Sequence, residues 1–136
     1  MRRPDPAALA AATRTARAVA GGAAVPRPEL AGAVRATLAH LAVLHPGKLV
    51  EVRVPPFAAV QVGVPGQSSA HTRGTPPNVV ETDAATWLGL SSGRLSWADA
   101  VAGHHVQASG SHADISTQLA ALVAALDAVS DATTGR

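Results

Sequence analysis

The side chains best suited to chemistry lie in HTRGTPPN, residues 71–78. On an extended segment His71 and Arg73 point to the same side. An imidazole beside a guanidinium could hold a carboxylate or phosphate, with the guanidinium making a two-pronged contact. Glu81 and Asp83 follow closely enough to approach the same place. A structural reading stands beside this one. In it Arg73 pairs with Glu51, Glu81 or Asp83, and Gly74 and the prolines only shape a turn.

The other polar residues point away from catalysis. His104 and His105 are adjacent, so on a strand they face opposite ways and do not chelate one ion. His-x-x-x-His and His-Glu-x-x-His spacings are absent, and no metal site is expected. His40 and His45 flank the end of an expected helix over 28–44, where the helix dipole favours a cationic imidazole. Ser91-Ser92-Gly93 and Ser109-Gly110-Ser111 read as caps and turns, without a Gly-x-Ser-x-Gly elbow. No glycine cluster follows a strand and opens a helix, as a phosphate loop requires. The chain has no cysteine, which removes disulfides, thiol catalysis and thiolate metal sites together. No catalytic residue and no cofactor are expected.

Composition sets the remaining bounds. A chain of 136 residues is long enough for one domain with a buried core. Hydrophobic residues make up 47%, mostly Ala, Val and Leu, so elements must pack closely. The aromatics are Phe57, Trp87 and Trp97. A net charge of +2 and the lack of basic stripes interleaved with aromatics argue against a nucleic-acid partner. No apolar run approaches the length of a membrane span. Arg14 and Arg17 interrupt the alanine-rich N-terminus, which is not the continuous apolar core of a secretory signal. A cytoplasmic protein is the expectation. Oligomeric state is left open.

These residues are positioned by elements whose punctuation is clear. Alanine propensity predicts a helix over 6–20, with a poor apolar stripe and a loosely docked character. Leu30, Val34, Leu38, Leu41 and Leu44 share one face of a helix over 28–44. The period then changes to two. Val50, Val52 and Val54 alternate with Glu51 and Arg53, and Ala58, Val60, Val62 and Val64 share a face of a second strand. These two strands should form an antiparallel hairpin around Pro55-Pro56. A short edge strand is expected over 70–75, a further strand over NVVET and a last one over 105–109. Asp83 and Ser96 are caps for two short helices within 83–102, and Gly93 ends the first in a left-handed turn. A C-terminal helix runs from His112 to about Ser130, with Ile115, Leu119, Leu122, Val123 and Leu126 on its face, before a frayed tail.

Strands flanked by helices define an α+β domain. The segment Thr82–Ser111 also carries a family resemblance. It resembles the C-terminal half of the sterol carrier protein 2 (SCP2-like) fold. The matching residues are Asp83 as cap, Leu88 and Leu90, Gly93 and Leu95, Ala100, and Gly110 with Ser111. Two departures are visible: Ser111 stands where Asp or Asn is usual, and Gly103 sits one place early, leaving His104 at the turn position. The whole is most similar to small single-domain members of the superfamily from high-GC bacteria, over roughly residues 30–125.

The resemblance implies a five-stranded, mainly antiparallel sheet covered on one face by helices. It divides the chain into an Ala-rich extension and linker over 1–27 and an SCP2-like domain over 28–130. It implies noncatalytic binding or carriage of a fatty acid, acyl-CoA or sterol-like lipid in a pocket between sheet and helices. The expected lining is Val52, Val60, Val62, Val80, Trp87, Trp97, Leu119 and Val123. Each tryptophan has a second reading, as an anchor of its short helix to the sheet. Two alternatives are an accessory or enzymatic module using His71 and Arg73 to bind an acidic substrate or thiol cofactor, and an interaction module docking through the N-terminal helix.

Overall fold

The computed structural model describes residues 3–68 and 77–133. Two helices come first, α1 (Pro6–Ala20) and α2 (Arg27–Leu44). The hairpin β1 (Val50–Val54) and β2 (Ala58–Val62) follows, then β3 (Asn78–Thr82), α3 (Ala84–Ser91), α4 (Trp97–Ala102), β4 (Val106–Ser109) and α5 (Ser116–Thr133). The four strands form one sheet in the order β2-β1-β3-β4.

The sheet is mixed. β1 pairs with β2 antiparallel, Val52 opposite Val60, and β3 pairs with β4 antiparallel, Val80 opposite Ala108. β1 and β3, the two central strands, run parallel with Val52 opposite Val80. Among the described residues the sheet has four of the five expected strands, with a parallel pair at its centre. Residues 63–77 join β2 to β3, a connection of the length that a parallel return requires. The strand expected over 70–75 lies outside the described residues.

Alternation sets which face the helices cover. Val50, Val52 and Val54 are buried while Glu51 and Arg53 are partly exposed, and β3 alternates the same way. Glu51 and Arg53 pair with each other on the open face. Helices lie against the other face, where Leu38, Leu41, Leu88, Ile115, Leu122 and Leu126 join the strand valines in one cluster.

α1 is part of this cluster. Leu9, Ala12, Thr13 and Ala16 are buried against α2, α3 and α5. Alanine lets helix axes approach closely, so a face that is weakly hydrophobic by residue type still packs. Arg17 fastens α1 to α5, donating to Asp127 Oδ1 (2.7 Å) and Ser130 Oγ (2.9 Å). The expected loosely docked helix is therefore corrected: α1 is built into the core. The C-terminal helix also differs, starting at Ser116 and reaching Thr133.

Asn78 closes the far end of the sheet. Its Nδ2 donates to the Leu49 carbonyl (2.9 Å) and its Oδ1 accepts from the His112 N–H (2.8 Å). Gly110 passes directly over this amide at φ +109°, and a Cβ there would strike Asn78 Oδ1. The glycine ending β4 is thus required both by its backbone and by what lies beside it.

Candidate functional site

Local caps build a groove between α3, α4 and α5. Asp83 Oδ1 accepts the Thr86 N–H (2.8 Å) and starts α3. Gly93, at φ +77°, turns the chain after α3 as its sequence position predicts. Ser96 Oγ then accepts the Asp99 N–H (3.0 Å) and starts α4 with Trp97 at its first position. α5 runs alongside, its first turn held by Asp114, whose Oδ1 accepts the Ser116 N–H (2.9 Å). Side-chain and backbone hydrogen bonds from Ser116 hold the Asp114 carboxyl below its usual range.

The resulting groove has a volume of about 350 Å³. Leu90, Leu95 and Trp97 form one wall; Leu119, Ala120 and Val123 of α5 form the other. Ser96 and Ser116 supply the polar atoms, and no charged side chain among the described residues lines it. Such a space receives uncharged apolar groups and offers a hydroxyl at its edge.

The structure brings together Trp97, Leu119 and Val123 from the expected lining. It places Val52, Val60, Val62, Val80 and Trp87 elsewhere, in the packed cluster between sheet and helices. Trp87 is wholly buried, and its Nε1 donates to Thr37 Oγ1 (2.8 Å), which itself donates to the Ala33 carbonyl (2.7 Å). Trp87 is thus an anchor between α3 and α2. His71 and Arg73 lie outside the described residues.

A polar cleft of about 300 Å³ lies at the other end of α4, lined by Glu81, Asp83, His104 and His105 among others. Asp83 is occupied as the cap of α3. His104 takes the left-handed turn position, φ 59°, where the resemblance expects a glycine. Among the described residues, no three His, Asp or Glu side chains gather to hold a metal.

A larger groove, about 630 Å³, was not expected from sequence. Arg3, Asp5 and Ala8 border it from the N-terminal side; Gly32, Arg35, Ala36 and Ala39 of α2 form its floor, with Ala58 at one end. Gly32 was the available signal, because a glycine inside a helix costs propensity and calls for a reason. His40 lies near Arg3, and burial, then the Arg3 charge, push its pKa below the usual imidazole value. For His40 the expected cationic imidazole gives way to one biased toward the neutral form.

A four-stranded mixed sheet sheltered on one face by helices defines a small α+β domain. The chain belongs to the family of bacterial sterol carrier protein (SCP) orthologs, whose family model matches residues 26–121. Membership points to a lipid-binding role, and SCP-like families are generally noncatalytic. A search of curated proteins found no match. No helix among the described residues is long and apolar enough to cross a membrane. The family match begins after α1, so the helix that completes this core lies outside it.

Proposed function

We propose that the chain binds and carries an apolar ligand without catalysing its conversion, and that the ligand occupies the α3–α4–α5 groove. One observation carries this reading: the groove is walled by Leu90, Leu95, Trp97, Leu119 and Val123 with no charge among its lining residues. A ligand buried there gains roughly 0.8 kcal/mol per covered methylene. Within the range of fatty acid, acyl-CoA and sterol-like lipid, the uncharged walls favour the sterol-like end. A single hydroxyl on such a ligand finds Ser96 or Ser116 at the edge.

The reading is tested by titrating the full chain with dehydroergosterol and following energy transfer from Trp97. Ala120 is exposed and lines the groove, so Ala120→Leu fills it without touching the core. Saturable transfer is expected, weakened about tenfold or more in Ala120→Leu, since the added side chain displaces two or more ligand methylenes. No saturable transfer, or transfer indifferent to Ala120→Leu, retires the proposal.

A further inference from the structure

The α1–α2 groove differs in kind from the one just assigned. It is the larger of the two, at about 630 Å³, a size ordinary for small-molecule sites. Its floor is aliphatic and nearly featureless, made by Ala36, Ala39 and the bare backbone of Gly32. No described residue lies within 4 Å of a Cβ built at Gly32, so among them the missing side chain leaves open space.

Its charges are predominantly positive. Arg3 and Arg35 both line the groove, are exposed, and have no ion-pair partner among the described residues. The one carboxylate among the described lining residues, Asp5, caps α1: its Oδ1 accepts the Ala8 N–H (2.7 Å). His40 beside Arg3 does not compete for an anion, since burial and the Arg3 charge favour its neutral form.

We propose that the α1–α2 groove is a second ligand site, and that it takes a single-chain amphiphile: an anionic oxygen head held by Arg3 and Arg35, with its alkyl chain laid on Gly32, Ala36 and Ala39. A cationic head meets two guanidinium groups and is repelled. A neutral head leaves them unused. One wall, Arg3 to Ala8, comes from the segment before the family match, so the site is a property of this chain beyond its membership. It stands independently of the α3–α4–α5 reading.

Two heads fit this chemistry, a carboxylate and a phosphate monoester. Calorimetric titration of the full chain with laurate, dodecyl phosphate, dodecanol and dodecyltrimethylammonium, each below its micelle concentration, tests the proposal. Laurate or dodecyl phosphate should bind, whichever is tighter naming the head, and the alcohol and the ammonium should bind about tenfold more weakly or worse, as the loss of two exposed charge contacts implies. Inorganic phosphate alone should give no heat. The double variant Arg3→Gln, Arg35→Gln should weaken the anionic chain by about the same factor. Gly32→Leu should abolish binding while the chain stays folded by circular dichroism, because the new side chain enters open space on a helix. Ala120→Leu, which blocks the other groove, should leave laurate binding unchanged. The proposal is overturned if no anionic chain binds, if all four chains bind alike, or if Gly32→Leu retains full affinity. It is also overturned if Ala120→Leu removes the binding. Capture only by phosphatidylglycerol vesicles, with no binding of free chains, would replace the groove with a membrane-facing surface.

Discussion

The α3–α4–α5 groove and the α1–α2 groove are both walled by helices. They differ in their larger lining residues. In the first these are apolar, Leu90, Leu95, Trp97, Leu119 and Val123; in the second they are the charged Arg3, Asp5 and Arg35 around a floor of Gly32, Ala36 and Ala39. They also differ in provenance: the first lies within residues 90–123, almost wholly inside the family match, while the second takes one wall from residues 3–8, ahead of it. A few larger residues decide what each hollow accepts, and shared membership informs only the hollow that the shared segment builds.

The strongest way to break this comparison is to remove α1. If the second groove is integral, deleting residues 1–24 should destroy cooperative folding as well as the groove, since Leu9, Ala12 and Ala16 leave the core with it. Leu9→Ala alone should cost about 2–5 kcal/mol in chemical denaturation, the range for truncating a buried leucine. A shortened chain that keeps its melting temperature would make α1 a docked accessory, and the two grooves would no longer belong to one unit. The Arg17–Asp127 pair is half-exposed and contributes at most about 1 kcal/mol, so Arg17→Ala alone should not mimic the deletion.

The tryptophans sharpen the contrast between core and groove. Trp87→Ala should cost about 3–5 kcal/mol, because it empties a fully buried site and strips Thr37 of a donor. Trp97 is only partly buried at the groove wall, so Trp97→Ala should cost well under that while removing sterol transfer. Equal losses of stability would mean that Trp97 is an anchor too, and the groove reading would lose its main wall.

Much of the fold was legible because local signals were unambiguous. Asp83, Gly93 and Ser96 punctuate α3 and α4 as their types demand, and the alternation of Val50, Val52 and Val54 marks the covered face of the sheet. What was not legible had physical reasons. The face of α1 is Leu9, Ala12, Thr13 and Ala16, spaced as a helix stripe, but three of its four residues are small, and small residues do not announce burial by type. The parallel pairing of β1 with β3 depends on the path of a long connection, which period-two alternation does not encode. Strand valines were expected to line a pocket because an inward-facing valine reads the same whether it borders a cavity or a neighbouring side chain. Here Val52 and Val80 meet other side chains in the core, and the open space lies among the helices.

Gly32 separates the roles of space and stability in the second groove. It lies inside α2, where glycine is destabilising by roughly 0.5–1 kcal/mol relative to alanine. With no described residue within 4 Å of the added Cβ, Gly32→Ala should raise stability by about that amount. It should also weaken laurate binding modestly. A stabler variant with unaltered binding would show that the floor at Gly32 is not in contact with the chain of the ligand.

The smallest expected effect lies at His40, and it reports where Arg3 sits. Its pKa is lowered from 6.5 by burial first and the Arg3 charge second. The unfolded chain therefore takes up this proton before the folded one does, so the contribution of His40 to stability is present above about pH 6.5 and falls as pH drops through that value. In a nuclear magnetic resonance titration the His40 midpoint should lie below the ordinary imidazole value. Arg3→Gln should move it part of the way back up, with burial holding the rest. Binding of laurate should move it in the same upward direction, because an anionic head beside Arg3 offsets the charge that His40 feels. A midpoint that ignores both Arg3→Gln and laurate would place Arg3 away from α2, and the cationic edge that distinguishes this groove from the other would then rest on Arg35 alone.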